Sequence, residues 1–191
     1  TLDTIKWNAK INQIPEIAVL AENLAVILRK SISSKPFVTL REELDTIDSY
    51  IRIQKIRFSG RFLYETEIPD VLEESMIPKM ILQPFIENTF FHAYPEGRCG
   101  TIQIVVRQAD GELTIQIIDD GIGMTQEKIA KIMNEKTSKE HYSGIGVHNV
   151  QERLKLLYGD DYGIHISSEE SKGTTVTIVL PVDYSTEVQE T

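Results

Sequence analysis

Cysteine is nearly absent from the 191-residue chain: the single Cys99 leaves no partner for an internal disulfide. That scarcity fits a reducing compartment, with Cys99 a bystander thiol in a glycine-rich turn. Long apolar runs are missing too. None approaches the roughly 20 residues a membrane-crossing helix needs, and no signal-peptide pattern is visible. Basic residues are outnumbered, 20 Lys plus Arg against 29 Asp plus Glu, for a net charge of −9. Without a basic footprint, the chain is a poor candidate for non-specific nucleic-acid binding. Internal repeats and low-complexity tracts are absent. The chain starts at Thr1, inside a helical pattern and without an initiator methionine, and is therefore expected to be a piece of a longer protein. What is present, 41% hydrophobic and 26% charged residues, suits a globular protein long enough to bury a proper core.

Periodicity organises the chain. Leu2, Ile5 and Ala9 recur at helical spacing, Pro15 stands near the start of a second helix, and Ile17, Leu20, Ala21, Leu24, Ile27 and Leu28 make its broad apolar face. The two predict an antiparallel hairpin whose exposed stripe suits pairing with another copy in a four-helix bundle. Residues 31–36 read as a linker, dividing a partial hairpin (1–35) from a larger domain (36–183), with a polar tail at 184–191. Thr39 and Glu42 form a capping-box pattern ahead of a helix running to about Phe58. A strand over Phe62–Ile68, an acidic loop over Pro69–Pro78 and a helix from Lys79 to about His92 follow. Two strands joined at Asp110-Gly111 come next. A short helix capped by Thr125, a polar stretch, a helix opened by Gly144-Ile145-Gly146, and two final strands, Gly163–Ser168 and Thr174–Leu180, complete the order. That order predicts an α/β sandwich, a mixed or antiparallel sheet with helices on one face.

Four short segments could carry chemistry. The strand Leu113–Ile118 breaks into Asp119-Asp120-Gly121-Ile122-Gly123, where the glycines let a ligand approach the backbone. A carboxylate at Asp119 would pair with an exocyclic amine such as that of adenine; a tight acidic turn in a hairpin explains the same residues. On the helix over Gln83–His92, the Asn88 amide oxygen is a suitable hard ligand for Mg²⁺, and Glu87 could order a metal-bound water or act as a base. His92 shares a face with Asn88 and could touch a phosphate. A core helix with a polar edge is the plainer account. Gly144 and Gly146 precede a helix start able to receive an anion. The Thr174 hydroxyl, after Gly173, could reach a ligand directly or through water, or simply begin a strand.

As an ordered set these segments resemble the GHKL ATP-binding superfamily, the Bergerat fold of histidine kinases, gyrase, MutL-type repair proteins and a heat-shock chaperone. Within it the chain is similar to sensor histidine kinases of the LytS/YesM type. The likeness rests on Thr39-Leu40-Arg41-Glu42-Glu43-Leu44, on Tyr50 to Phe58, on Gln83-Pro84-Phe85-Ile86-Glu87-Asn88, and on Gly144 to Leu154, and it extends to about Pro181. It implies an α+β, two-layer sandwich that binds ATP and Mg²⁺. Asn88 would hold the Mg²⁺, Asp119 would read the adenine amine, Gly121 and Gly123 would shape the base pocket, Gly144 and Gly146 would bend a lid (125–143) around the phosphates, and Thr174 would support the adenine side. The γ-phosphoryl would pass to a histidine and then to an aspartate of a response regulator. The parent would be a bacterial plasma-membrane kinase, dimeric through the hairpin, with this portion cytoplasmic.

Two departures stand out. Where many relatives carry an Asn or an acid four positions before the metal-binding Asn, this chain has Pro84, so Glu87 is the remaining candidate base. The four histidines, 92, 141, 148 and 165, all lie outside the hairpin, so the chain is expected to bind ATP without phosphorylating itself. A conformational ATPase or a nucleotide-sensing module is the alternative. A Rossmann site at Gly121-Ile122-Gly123 fails because position 126 is Gln and no βαβ unit follows.

Overall fold

The computed structural model describes residues 1–94, 99–134 and 142–183. α1 (Leu2–Ile11) and α2 (Pro15–Ile32) form the expected hairpin, turning at Gln13 with φ +58°. Ala9 on α1 and Ala18 and Ala21 on α2 are buried. Trp7, Ile11 and Ile32 remain exposed. β1 (Phe37–Thr39) then leads into α3 (Leu40–Arg57). The capping box is present: the Glu42 amide donates to Thr39 Oγ1 at 3.1 Å, and the Thr39 amide donates to Glu42 Oε2 at 3.1 Å. Ser59 and Gly60, both at positive φ, end the helix.

Five strands make the main sheet: β2 (Phe62–Glu67), β4 (Gly100–Ala109), β5 (Glu112–Asp119), β6 (Gly163–Glu169) and β7 (Gly173–Pro181), in the order β2-β4-β5-β7-β6. The β2–β4 pair is parallel and the others antiparallel, so the sheet is mixed. The β4–β5 turn places Asp110 and Gly111 at φ +53° and +84°, the left-handed pair a two-residue hairpin requires. Along β5 burial alternates strictly: Leu113, Ile115, Ile117 and Asp119 face inward while their neighbours do not. One covered face means two layers. The covering layer is α3 (Leu44, Ile47), α6 (Tyr142–Tyr158; Val150, Leu154) and α4 (Gln83–Asn88; Phe85, Ile86), all in one core with Ile104, Ile115 and Ile178.

Three sequence expectations need correction. The acidic loop contains a 3₁₀ turn at Asp70–Leu72 and a short strand, β3 (Met76–Pro78), paired antiparallel with β1. The helix expected from Lys79 begins only at Gln83, because Pro78 belongs to β3 and Met80 takes φ +61°. The amides of Met80 and Leu82 donate to Glu43 on α3 instead of starting a helix at Lys79. Periodicity alone could not reveal that distant acceptor. After Asn88 the chain widens into a π-helical turn over Thr89–Ala93. α5 (Gln126–Asn134) is capped by Thr125, whose hydroxyl accepts the Lys128 amide at 3.2 Å. The polar tail at 184–191 and the stretch 135–141 of the expected lid lie outside the described residues. α6 begins at Tyr142, so Gly144 and Gly146 sit within its first turns and do not precede it.

Candidate functional site

β5 ends at Asp119, 7% exposed, at the mouth of the sheet. A buried carboxylate must be paired, and local backbone does this first: the Gly121 amide donates to Asp119 Oδ1 at 2.9 Å. Thr174, directly across the β5–β7 ladder, and the Thr89 hydroxyl also face the carboxyl and favour its charge. Burial outweighs them and pushes the Asp119 carboxyl above the usual carboxylate range.

The Asp119–Gly123 turn is pinned from three directions. Ile122 donates to the Ala93 carbonyl at 3.0 Å, tying the turn to the end of the Asn88 segment. The Thr101 amide donates to Asp120 Oδ1 at 2.7 Å, and the Tyr94 hydroxyl lies between Asp120 Oδ1 (3.0 Å) and the Thr101 carbonyl (2.7 Å). Ser168 Oγ accepts the Met124 amide at 2.9 Å and lies 2.7 Å from the Gly173 carbonyl. Two glycines are sterically required. A Cβ at Gly121 would meet Ala93 Cβ at 2.4 Å, and one at Gly123, where φ is +65°, would meet the Glu169 carbonyl oxygen at 2.0 Å.

An open cleft lies over this turn, and clefts that combine apolar walls with a few convergent polar groups are the usual form of small-molecule sites. Asn88, His92, Asp119, Gly123 and Thr174 all line it, although they come from α4, the π-helical turn, β5 and β7. Its other walls are largely apolar, with Phe85, Ile132, Val147 and Val176 suited to the faces of a planar base. Gly121 lies beneath the turn and not on the cleft wall. Gly146 faces Pro84, whose Cβ would stand 3.1 Å from an added methyl, so this glycine lets α6 approach α4. Glu87 is not on the lining. It accepts from Gln83 Nε2 at 2.8 Å and is near Tyr50, whose hydroxyl is pushed up to about 12 by burial first and by the Glu87 charge second.

Thr89, Lys128 and Ser168 were not singled out from the sequence. Thr89 and Lys128 line the cleft, and Ser168 locks the turn below it. Thr89 adjoins Asn88, and Lys128 stands on the helical pattern after Thr125, so both had a weak signal; Ser168 had none. Among the described residues no group of three or more His, Cys, Asp or Glu side chains could hold a metal ion. Asn88, on the cleft lining, could offer its amide oxygen to Mg²⁺, which keeps several waters and takes one or two protein oxygens together with phosphate.

The chain also has relatives among known proteins. Residues 74–184 match the family described as histidine kinase-, DNA gyrase B- and HSP90-like ATPase, and residues 1–62 match the histidine kinase family. The chain belongs to the histidine kinase-, gyrase B- and HSP90-like ATPase family, a membership that implies an ATP site. It is 37% identical over 183 residues to the sensor histidine kinase YesM of Bacillus subtilis, covering 95% of this chain and 30% of YesM. Against the sensor histidine kinase BtsS of Escherichia coli K12 it is 32% identical over 183 residues, covering 94% of this chain and 30% of BtsS. The chain thus spans under a third of the length of these relatives. In fold it resembles the histidine kinase domain of the Erythrobacter litoralis EL346 blue-light activated kinase, with a TM-score of 0.56 at 15% identity over 87% of this chain and 75% of that one. It also resembles the catalytic domain of histidine kinase ThkA, with a TM-score of 0.59 at 15% identity over 76% of this chain and 94% of that one.

Proposed function

We propose that this chain is the catalytic, ATP-binding portion of a two-component sensor histidine kinase. The observation that supports this most directly is that Asn88 and Asp119, far apart in sequence, line one cleft with apolar walls. In this reading the Asp119 carboxylate accepts the adenine amine, Gly123 and Thr174 frame the base, and Gly121 shapes the pocket from behind by letting the turn pack against Ala93. Asn88 provides a protein oxygen to Mg²⁺, and His92 lies on the phosphate side, with Gly144 and Gly146 near the phosphates at the start of α6. Mg²⁺, when bound, neutralises phosphate charge and favours transfer of the γ-phosphoryl. The chain's own residues then bind and orient the nucleotide, and the walls exclude water. The acceptor is a histidine nitrogen elsewhere in the parent, and the phosphoryl passes on to an aspartate of a response regulator. The hairpin of α1 and α2 serves dimerisation in that parent, a bacterial plasma-membrane protein with this portion on its cytoplasmic side. Glu87 is the candidate base, acting from beside the cleft.

Fluorescent-nucleotide binding with and without Mg²⁺ tests the pocket. The wild-type chain is expected to bind and Asp119→Asn to lose most affinity; equal binding by the variant overturns the adenine assignment. Mixing the chain with a separate histidine-bearing helical segment and γ-labelled ATP tests transfer. Label on the histidine is expected, and ATP consumption with no labelled histidine would favour a conformational ATPase instead.

A further inference from the structure

The turn at residues 79–82, between β3 and α4, is gripped from several directions. Lys79 Nζ donates to the carbonyls of Ser31 at 2.9 Å and Ser33 at 2.6 Å, at the end of α2. The Lys79 amide donates to the Pro36 carbonyl at 3.0 Å. From α6, Arg153 donates to the Lys79 carbonyl at 2.5 Å and to the Pro36 carbonyl at 2.8 Å. From α3, Glu43 receives the Met80 amide on Oε2 at 2.8 Å and the Leu82 amide on Oε1 at 3.1 Å; burial raises its carboxyl above the usual carboxylate range, and the Met80, Leu82 and Gln83 amides oppose that rise.

Glu43 is 4% exposed. A carboxylate buried this deeply would ordinarily be excluded from a core, and here backbone amides receive it. α4 has no side-chain cap of its own: Leu82 holds the N-cap position, and Pro84 brings no N–H. Glu43 therefore satisfies, from another helix, the donors that the start of α4 would leave orphaned. α4 is six residues long and ends at Asn88, which lines the cleft. At 1.5 Å per residue, Asn88 stands only about 9 Å from the cap. With so few residues between cap and Asn88, a displacement of the first turn carries through to Asn88, where the helix widens into the π-helical turn.

We infer that Glu43 is a positioning residue for Asn88, fixing the start of α4 so that the amide oxygen is presented correctly to nucleotide-bound magnesium. Arg153 supports the same turn from the α6 side. This rests on the magnesium–ATP reading of the cleft. A role confined to folding would lower stability and affect all nucleotide binding alike. A positioning role is selective: adenine recognition at Asp119, on the sheet, is untouched, and only the gain in affinity conferred by Mg²⁺ is lost.

The test is calorimetric titration of the whole chain with ATP, in EDTA and then in Mg²⁺, for wild type, Glu43→Gln, Arg153→Gln and Asp119→Asn. Glutamine keeps the volume of Glu43 but can offer only one acceptor oxygen to the turn. Glu43→Gln is expected to bind ATP in EDTA within about twofold of wild type, while its Mg²⁺-dependent gain falls about tenfold. Where circular dichroism shows Glu43→Gln unfolded, the less buried Arg153→Gln carries the test, with the same selective loss expected. A wild-type gain in the folded variant overturns the positioning role, as does an equal loss with and without Mg²⁺. Absence of binding by wild type, or wild-type binding by Asp119→Asn, overturns the nucleotide reading itself.

Discussion

Gly173 lies so close to Asp119 that a Cβ at position 173 would stand 1.9 Å from the Asp119 carbonyl oxygen. Its φ of +104° is also a conformation L side chains rarely adopt. Gly173→Ala should therefore disturb the backbone that aims the Asp119 carboxyl. Gly60 makes the control, with φ +70° and open space around it, so Gly60→Ala reports backbone strain alone. We expect about 1 kcal/mol of destabilisation for Gly60→Ala and about 3 kcal/mol for Gly173→Ala, measured by urea unfolding. Nucleotide affinity should fall only for Gly173→Ala. Equal destabilisation by the two would mean that the β5–β7 contact relaxes freely.

Asp119 sets a pH dependence. Burial raises its pKa above the unfolded value, so the folded chain holds this proton more tightly than the unfolded chain. The associated stability is fully present below the ordinary carboxylate pKa and is lost as pH rises through the raised value. Asn at this position does not titrate. The stability of Asp119→Asn relative to wild type should therefore increase from pH 4 toward neutrality, read from denaturation midpoints along the series. A relative stability that declines instead would mean the amide and hydroxyl donors outweigh burial.

The Thr39 and Glu42 pair offers a prediction away from the cleft. Thr39→Ala removes the hydroxyl that receives the Glu42 amide and should lower stability by about 1 kcal/mol. Nucleotide affinity should be unchanged, because α3 keeps Glu43 and its core face. A large loss of binding with no change in unfolding midpoint would contradict this.

These cases also show how far the residues alone could be read. Thr39 with Glu42, Asp110 with Gly111, and the alternation along β5 are local patterns, and each formed as expected because its cause lies within a few residues. Asn88, Asp119 and Thr174 were recognisable as an ordered set; the ladder places Thr174 opposite Asp119, and the hydrogen bond from Ile122 to the Ala93 carbonyl ties their turn to the Asn88 segment. The start of α4 was only partly legible: its apolar spacing suits a helix from Lys79, Pro84 marks a first turn near Gln83, and the hold of Glu43, on another element, on the preceding turn could not be read. Ser168 was hidden for the same reason, since its partners are Met124, in the loop after β5, and Gly173, at the start of β7.

Glu87 and Asn88 are neighbours in sequence with different surroundings. Asn88 lines the cleft, while Glu87 is held by Gln83 near Tyr50. Glu87→Gln should leave the affinity for magnesium–ATP within about twofold of wild type, measured by calorimetry. Transfer to a supplied histidine segment then reads the base role independently. Loss of affinity would place Glu87 in nucleotide binding itself.

Lys128, on α5, brings positive charge to a cleft that also holds Asp119. Its side chain is exposed, so its attraction for a phosphate is that of a solvated charge, about 1 kcal/mol at contact. Lys128→Gln should weaken ATP binding about fivefold and leave adenosine binding unchanged, because adenosine carries no phosphate. The difference should shrink as salt is raised toward about 1 M, where the screening length falls to about 3 Å. Titration of both ligands at low and high salt checks all three statements. Equal losses for ATP and adenosine would assign Lys128 to the packing of the cleft wall instead of to phosphate recognition.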